Sequence, residues 1–299
     1  MPLNRSFLFA PGNQARRVEK ALSLDADAVI LDLEDSVAAA DKEAARKPVA
    51  EALARPRRGR AFVRVNAPST PFCYGDLVAV IHAGLDGVVI PKIESAADLH
   101  AVDWLMANLE RERGLVPGAV ELMPIIETAV GVQRVDRILQ ARGLRPYEAR
   151  WRVRRLAFGA ADYANDLVIA PDLEENELAD ARARLVLASR AAGAEGPLDS
   201  PWFHLREPEA FARALERSRR SGFQGRLCIH PDQIEPVNRA YSPSEAEIAS
   251  AERIVAAFRQ AEATGSAAIQ VDGQMVDYPV ARRAQAVLDA AREARAGRG

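Results

Sequence analysis

The sequence predicts an α/β chain whose strands close into a (β/α)8 TIM barrel, and three observations carry that prediction. Short apolar runs of five to seven residues recur along the chain. Segments of helical periodicity separate them, which is the pattern of a parallel sheet with crossover helices. Eight such runs fit between residues 6 and 230, the usual span of such a barrel.

Taken in order, the runs are "SFLFA" (6–10), "AVILDL" (28–33), "AFVRV" (61–65), "GVVIP" (87–91), "ELMPII" (121–126), "RLAFGA" (155–160), "GPLDSPW" (196–202) and "GRLCIH" (225–230). The seventh is the least strand-like, because Gly196, Pro197 and Pro201 leave little room for a regular ladder. Helical patterns such as "ADLHAVDWLMANLERE" and "PEAFARALERSRRSG" lie between them. In "KEAARKPVAEAL" an interior proline, Pro48, costs about 3 kcal/mol, so that helix is expected to kink or to begin anew there. After His230 the βα rhythm stops. A boundary near 235 therefore divides a barrel domain, 1–235, from a helical extension, 236–299, with a hairpin at the turn pair Asp272-Gly273 and a frayed end, "ARAGRG".

Composition narrows the functions. The chain has 299 residues, 48% hydrophobic, and its 40 basic and 42 acidic residues leave a formal charge of −2. The charges are interspersed, without the basic stripe that nucleic-acid binding needs. Cys73 and Cys228 lie far apart with no CxxC spacing, which argues against a disulfide framework or a thiolate zinc site and fits a reducing cytoplasm. "MPLNRSFLFAPGNQ" has too short an apolar run for a signal sequence, and no stretch is long and apolar enough for a membrane span.

In a barrel, side chains alternate between interior and helix layer, and chemistry gathers at the C-terminal strand ends. In "AVILDLEDSV", Ile30, Asp32 and Glu34 share one parity, and Val29, Leu31 and Leu33 the other. The acids should therefore face the barrel mouth. Arg64 in "FVRVN" is out of phase with Val63 and Val65, which places a cation at the same rim. Lys92 ends strand four in phase with Val88 and Ile90, and Glu127 ends strand five in phase with Met123 and Ile125. Strand six runs through "LAFGAADYANDL" to Asp162, with Gly159 allowing close approach to the backbone.

Each residue also has a plain structural reading. Asp35, Ser36 or Asp162 could cap helices, Arg64 and Lys92 could simply neutralise rim acids, and His204 and His230 read as structural histidines. Glu127 resists that reading, because Thr128 already supplies a cap and no neighbour in sequence neutralises it. The convergence of polar ends from several strands is the informative feature. Glu127 and Asp162, with oxygen ligands and no His/Cys cluster, suit a hard cation such as Mg²⁺ acting as Lewis acid and template. With Arg64 donating to a developing oxyanion, that favours carbon–carbon bond cleavage or formation through an enolate. Phosphate-ester chemistry remains an alternative at this stage, although no P-loop or Rossmann glycine fingerprint is present.

The ordered set "RSFLFAPGN" (5–13), "DAVILDLEDSV" (27–37), "VRVNAP" (63–68), "GVVIPKIES" (87–95), "PIIETAVGV" (124–132), "AFGAADYANDL" (157–167), "GFQGRLCIHPDQIEPVN" (222–238), "YSPSEAEI" (241–248) and "DGQMVDYP" (272–279) resembles the citrate lyase β-subunit-like family of the HpcH/HpaI aldolase superfamily. That group includes malyl-CoA and citramalyl-CoA lyases. The resemblance implies Mg²⁺-dependent, reversible cleavage of a 3-hydroxyacyl-CoA thioester to acetyl-CoA and a 2-oxo acid, on a barrel that trimerises. It implies Glu127 and Asp162 as metal ligands and Arg64 as the holder of thioester or carboxylate oxygens. Glu34 and Asp35 would organise water and cations, and Lys92 would serve the substrate pocket. Phe9 and Arg16 would line the CoA entrance, with Arg16 facing phosphate. Asp277 would act from the C-terminal segment of an adjacent subunit as base toward the acetyl methyl. One stretch departs from the family's pattern: "DSPWFHLREPEAF" is aromatic where relatives are more acidic, so acyl-pocket contacts should differ. Two alternatives accompany this expectation, a β subunit of a citrate lyase complex acting on a carrier-protein thioester, and a non-catalytic CoA- or metal-binding relative.

Overall fold

Every apolar run becomes a stave of one closed barrel. The computed structural model describes residues 4–141 and 152–296. Eight parallel strands pair in sequence order, the first closing on the last: β1 (Ser6–Pro11), β2 (Ala28–Asp32), β3 (Arg60–Arg64), β4 (Gly87–Ile90), β5 (Glu121–Ile126), β6 (Ala157–Phe158), β7 (Leu198–Asp199) and β8 (Gly225–Cys228). The interior is filled by Phe7, Ala28, Ile30, Phe62, Val89, Met123, Ile125, Ala157, Leu198 and Leu227, one parity set from each strand, with Phe9 packed against them. The opposite set, such as Val29, Leu31, Val63, Val88 and Ile90, is equally buried. Parallel strands covered on both faces need no polar alternation in mid-strand, which explains their continuous apolar reading.

β2, β4 and β8 fall one or two residues short of their sequence runs, and two strands are much shorter than theirs. β6 and β7 have two residues each, and Pro197 and Pro201 flank β7, where neither can donate to a ladder. The outer layer around the barrel is formed by α1 (Ala15–Leu22), α2 (Lys42–Leu53), α3 (Cys73–Val80), α4 (Ala96–Glu112), α5 (Ala129–Gln140), α6 (Ala160–Asp166), α7 (Ala179–Ala191) and α8 (Pro208–Ser221). Contrary to the expected restart, α2 runs through Pro48 as one span. Pro48 and Ala44, whose carbonyl loses its partner, both face solvent, so water can replace the missing bond.

Below the interior lies a second ionic layer. Arg60, Glu121 and Arg155 hold the interior parity at the N-terminal strand ends. Glu121 accepts from Arg60 Nη2 at 2.7 Å and also from Arg155, and Arg155 Nη2 lies 2.7 Å from Glu195 Oε2. Arg155 is wholly buried, and Arg60 stacks 4.7 Å over the Phe62 ring. The foot of the barrel is thus closed by two cations and two carboxylates.

The chain divides into two compact units, with the first spanning Asn4–Asn238 and the second beginning at Arg239. α9 (Ile234–Ala240) bridges that point in sequence. The second unit pairs α10 (Glu245–Ala263) with α11 (Tyr278–Ala296) through Ala251, Val255 and Ala284. Between them sits the antiparallel hairpin of β9 (Ile269–Val271) and β10 (Gln274–Val276). Its two turn residues, Asp272 and Gly273, have φ of 50° and 81°, the double left-handed turn expected of Asp-Gly. Residues 297–299 of the expected frayed end, and residues 1–3, lie outside the described residues. No helix among the described residues is long and apolar enough to cross a membrane.

Candidate active site

The rim at the C-terminal strand ends gathers what the parity argument assigned to it. Asp32 ends β2 and Arg64 ends β3, and the two meet as a bidentate pair, Nε donating to Oδ1 and Nη2 to Oδ2, each at 2.7 Å. Asp32 also accepts the backbone N–H groups of Glu34 at 2.9 Å and Ser36 at 3.1 Å. Burial works against the charged form of Asp32, but the Arg64 guanidinium outweighs it and holds the carboxyl below its ordinary value. Arg64 itself is pushed up: burial opposes its charge, and Asp32, Glu34 and Asp35 more than compensate. The Phe9 ring lies 4.7 Å beneath the Arg64 guanidinium.

With two nitrogens committed to Asp32, only Nη1 of Arg64 reaches further, to Glu34 Oε2 at 2.9 Å and to Asp35 at 3.4 Å. Glu34 Oε1 accepts from Lys92 Nζ at 2.9 Å. Glu34 Oε2 is buried, and its contact with Arg64 misses hydrogen-bond alignment, leaving it without a donor among the described residues. Burial lifts the Glu34 carboxyl above its ordinary value despite Arg64.

Lys92 arrives by a route that strand periodicity does not predict. Its phase partners Val88 and Ile90 face the helices, and the interior residue of β4 is Val89. β4 ends at Ile90, and Lys92 takes a left-handed φ of 54°, which turns the chain back across the mouth. Its backbone N–H then donates to Glu127 Oε1 at 2.8 Å.

Glu127 follows β5 on the interior parity and is 2% exposed. Its pKa is pushed up to about 8, first by burial and then by the carboxylates of Glu34 and Asp162, against a smaller opposing effect of Lys92. Thr128 caps α5, its Oγ1 accepting from Gly131 N–H at 3.0 Å, so Glu127 has no capping duty. Asp162 lies in the first turn of α6 rather than at the end of a strand. Gly159 does permit a close approach, but the group that approaches is Glu127: a Cβ there would stand 2.4 Å from Glu127 Oε2. Ser200, which sequence reasoning passed over, anchors α6 by accepting from Ala160 N–H at 3.0 Å.

The remaining candidates are more scattered. Asp35 is mostly exposed at the rim, and neither it nor Ser36 caps α2, which begins only at Lys42. Arg16 is exposed on the first turn of α1, with no ion pair to the described residues. Asp277 belongs to the second unit, where its Oδ1 accepts from Val280 N–H at 3.2 Å at the start of α11. His230 is a capping residue whose Nδ1 accepts from Asp232 N–H at 3.3 Å. Cys73 and Cys228 are free and buried.

Leaving the exposed Asp35 aside, the mouth holds four carboxyl groups, Asp32, Glu34, Glu127 and Asp162, against two cations, Arg64 and Lys92, an excess of acids that Glu127 meets by holding its proton up to about 8. Among the described residues no three His, Cys, Asp or Glu side chains form a complete ligand set. That donor set fits Mg²⁺, which takes one or two carboxylates, keeps several waters and would cancel the excess charge. The undonated Glu34 oxygen fits the same conclusion.

Ionisable groups gathered at one rim from β2 and β3 and from the segments that follow β4, β5 and β6 mark the C-terminal face of the barrel as the candidate active site. A family model described as HpcH/HpaI aldolase/citrate lyase matches residues 5–231. The citrate lyase subunit beta of Leuconostoc mesenteroides subsp. cremoris is 37% identical over 288 residues, covering 96% of this chain and 92% of that protein. The L-malyl-CoA/beta-methylmalyl-CoA lyase of Rhodobacter capsulatus is 34% identical over 308 residues, with 96% and 94% covered. The CitE protein of Mycobacterium tuberculosis, solved in complex with magnesium, acetoacetate and coenzyme A, superposes with a TM-score of 0.77 at 30% identity, covering 97% of this chain and 98% of that one. The chain belongs to the HpcH/HpaI aldolase/citrate lyase family and is one of its lyases.

Proposed function

We propose that the protein cleaves a 3-hydroxyacyl-CoA thioester of the malyl-CoA or citramalyl-CoA type, reversibly, to acetyl-CoA and a 2-oxo acid. The observation that carries this reading is the excess of buried carboxyl groups over cations at the barrel mouth, beside a fixed guanidinium. Glu127 and Asp162 would hold Mg²⁺, which when bound polarises the oxygens of the oxo-acid half. The chain's own groups then have definite tasks. Asp32 fixes the plane of Arg64, so Arg64 Nη1 can donate to a substrate oxygen in place of Glu34 or Asp35. Lys92 restrains Glu34 through its side chain and Glu127 through its backbone, which limits movement of the acids as charge develops. In cleavage the 3-hydroxyl gives its proton to solvent water, the bond between the carbinol carbon and the thioester α-carbon breaks as the carbinol becomes the carbonyl of the 2-oxo acid, and the electron pair passes to the thioester as an enolate. Asp277, presented by a neighbouring copy in a trimer, would protonate the enolate carbon and in the reverse direction take that proton back. Phe9 and Arg16 would receive the CoA portion, Arg16 through its phosphates.

One relative at 37% identity is a citrate lyase subunit beta, and this favours a second reading in which the acyl group is carried on a partner protein. Mass spectrometry separates the two. Purified protein is mixed with acetyl-CoA and Mg²⁺ and, separately, with glyoxylate, pyruvate or oxaloacetate, with EDTA controls. The lyase reading expects a metal-dependent acyl-CoA adduct with one acid. Absence of any adduct, with malyl-CoA and citramalyl-CoA left intact, would contradict it and favour the carrier-bound substrate.

A further inference from the structure

Behind the rim, outside the residues assigned chemistry above, a fully buried carboxylate holds the site's frame. Asp76, in the first turn of α3, is 0% exposed, and Asn66, two residues past Arg64, is 2% exposed. Asp76 Oδ2 accepts from Asn66 twice, from its backbone N–H at 2.9 Å and from its Nδ2 at 2.6 Å. Asn66 Nδ2 also donates to the Leu33 carbonyl at 2.9 Å. Asp76 Oδ1 accepts from Arg46 Nε of α2 at 2.8 Å, and Arg46 Nη2 donates to the Phe72 carbonyl at 3.1 Å.

The target of this chain of bonds is informative. Leu33 is the residue between Asp32 and Glu34. Its N–H donates to the Arg64 carbonyl at 2.9 Å, while its carbonyl is held by Asn66 and by Lys42 Nζ at 3.2 Å. Lys42 Nζ also holds the Glu34 carbonyl at 2.7 Å. The backbone from which Glu34 reaches Arg64 and Lys92 is therefore clamped on both sides. Both partners of Asn66 Nδ2, the Leu33 carbonyl and the Asp76 carboxylate, are acceptors, and Asp76 holds Asn66 a second time through its backbone N–H, so the carboxylate fixes where along the chain that NH₂ is presented to Leu33. A buried carboxylate needs a counter-charge, and Arg46 supplies it. The sequence keeps that route open at Gly75, where a Cβ would stand 2.6 Å from the Arg46 guanidinium carbon.

We infer that Asp76 and Asn66 are positioning residues for the lyase reaction, setting Glu34 and Arg64 without touching substrate or metal. The inference deepens the proposed function and rests on it. Asp76→Asn keeps the size but removes the charge that anchors Asn66 on one oxygen and Arg46 on the other. Gly75→Ala disturbs the same frame through Arg46 while changing neither member and placing a better helix former in α3. Both variants should lower kcat about 10- to 100-fold. KM for the acyl-CoA and Mn²⁺ affinity, read by the Mn²⁺ electron paramagnetic resonance signal, should stay within about threefold, since the fold and the metal carboxylates are intact. Hydrogen exchange over residues 33–36 and 64–67 should accelerate in both variants, with the rest of the barrel unchanged.

Unaltered kcat in folded Asp76→Asn and Gly75→Ala, or parallel losses of kcat, Mn²⁺ binding and barrel-wide protection, would overturn the inference, the second pattern marking a merely structural role. A wild-type protein inactive toward every substrate tried sinks the lyase reading instead. In that event the exchange measurement still decides whether Asp76 holds the Glu34 and Arg64 backbone.

Discussion

The two ends of the barrel carry similar side chains at the same parity, yet they are built to opposite specifications. At the foot, Arg60 and Arg155 face Glu121 and Glu195, and the charges cancel. At the mouth, four carboxylates face two cations and Glu127 is driven up to about 8. β3 shows the contrast within five residues: Arg60 closes the foot, Phe62 fills the middle, and Arg64 serves the mouth. A charge layer that balances itself is a structural plug. One that crowds more acids than cations into a buried rim is destabilising by itself and is retained where it binds something of opposite charge.

The comparison predicts opposite outcomes for equally conservative changes. Glu127→Gln or Asp162→Asn should lower turnover about 10³-fold, the scale of losing a major transition-state electrostatic contact. The metal-free protein should melt no lower than wild type, because Glu127 already holds its proton there and Asp162→Asn removes a like charge beside it. A large fall in melting temperature for either variant would mean the mouth is a structural network after all. At the foot, Arg155→Met leaves Glu121 and Glu195 short of a partner and should cost about 3 to 5 kcal/mol in denaturant unfolding. Its kcat per folded molecule should not change. Intact stability in this variant would remove the distinction from the other side.

Much of this arrangement was legible in the sequence where a strand is long enough to show its period. The alternation of Ile30, Asp32 and Glu34, of Phe62 and Arg64, and of Met123, Ile125 and Glu127 survives directly in the barrel, because a one-residue slip would bury the wrong face. The foot was encoded the same way, in Arg60 and Glu121 at the start of those same parity sets. Strand logic stops where strands stop. Lys92 reaches the mouth through a left-handed residue, so its apparent phase with Val88 and Ile90 carries no information. Asp162 sits on a helix that begins only two residues after the two-residue β6. The partner of Gly159 is the side chain of Glu127, a contact between adjacent strands that spacing within one strand cannot reveal.

Gly159 gives a smaller test of the same contrast. Gly159→Ala adds a single carbon 2.4 Å from Glu127 Oε2, so Glu127 must shift. Turnover should fall about 10- to 100-fold, as expected for a displacement near 1 Å. An active Gly159→Ala variant would mean that Glu127 tolerates movement and is not held for chemistry.

The smallest effect concerns acid stability at the foot. Burial alone would raise Glu195, but Arg155 outweighs it and the carboxyl lies below its ordinary value. A depressed carboxylate contributes stability that is present above its unfolded value, near 4.5, and is lost as pH falls through the lower folded value. Melting temperatures measured from pH 6 down to pH 3 should therefore drop less steeply in Glu195→Gln than in wild type. Identical slopes would indicate that the Arg155 pair adds nothing to the plug.

The most direct test of the contrast is calorimetric titration of Mg²⁺ into the wild type, the Glu127→Gln/Asp162→Asn double variant and Arg155→Met. A divalent-cation site at the mouth predicts one equivalent bound by the wild type and by Arg155→Met, and none by the double variant. Equal binding by all three proteins, or no binding by the wild type, would contradict the assignment of the excess acids at the mouth to a metal.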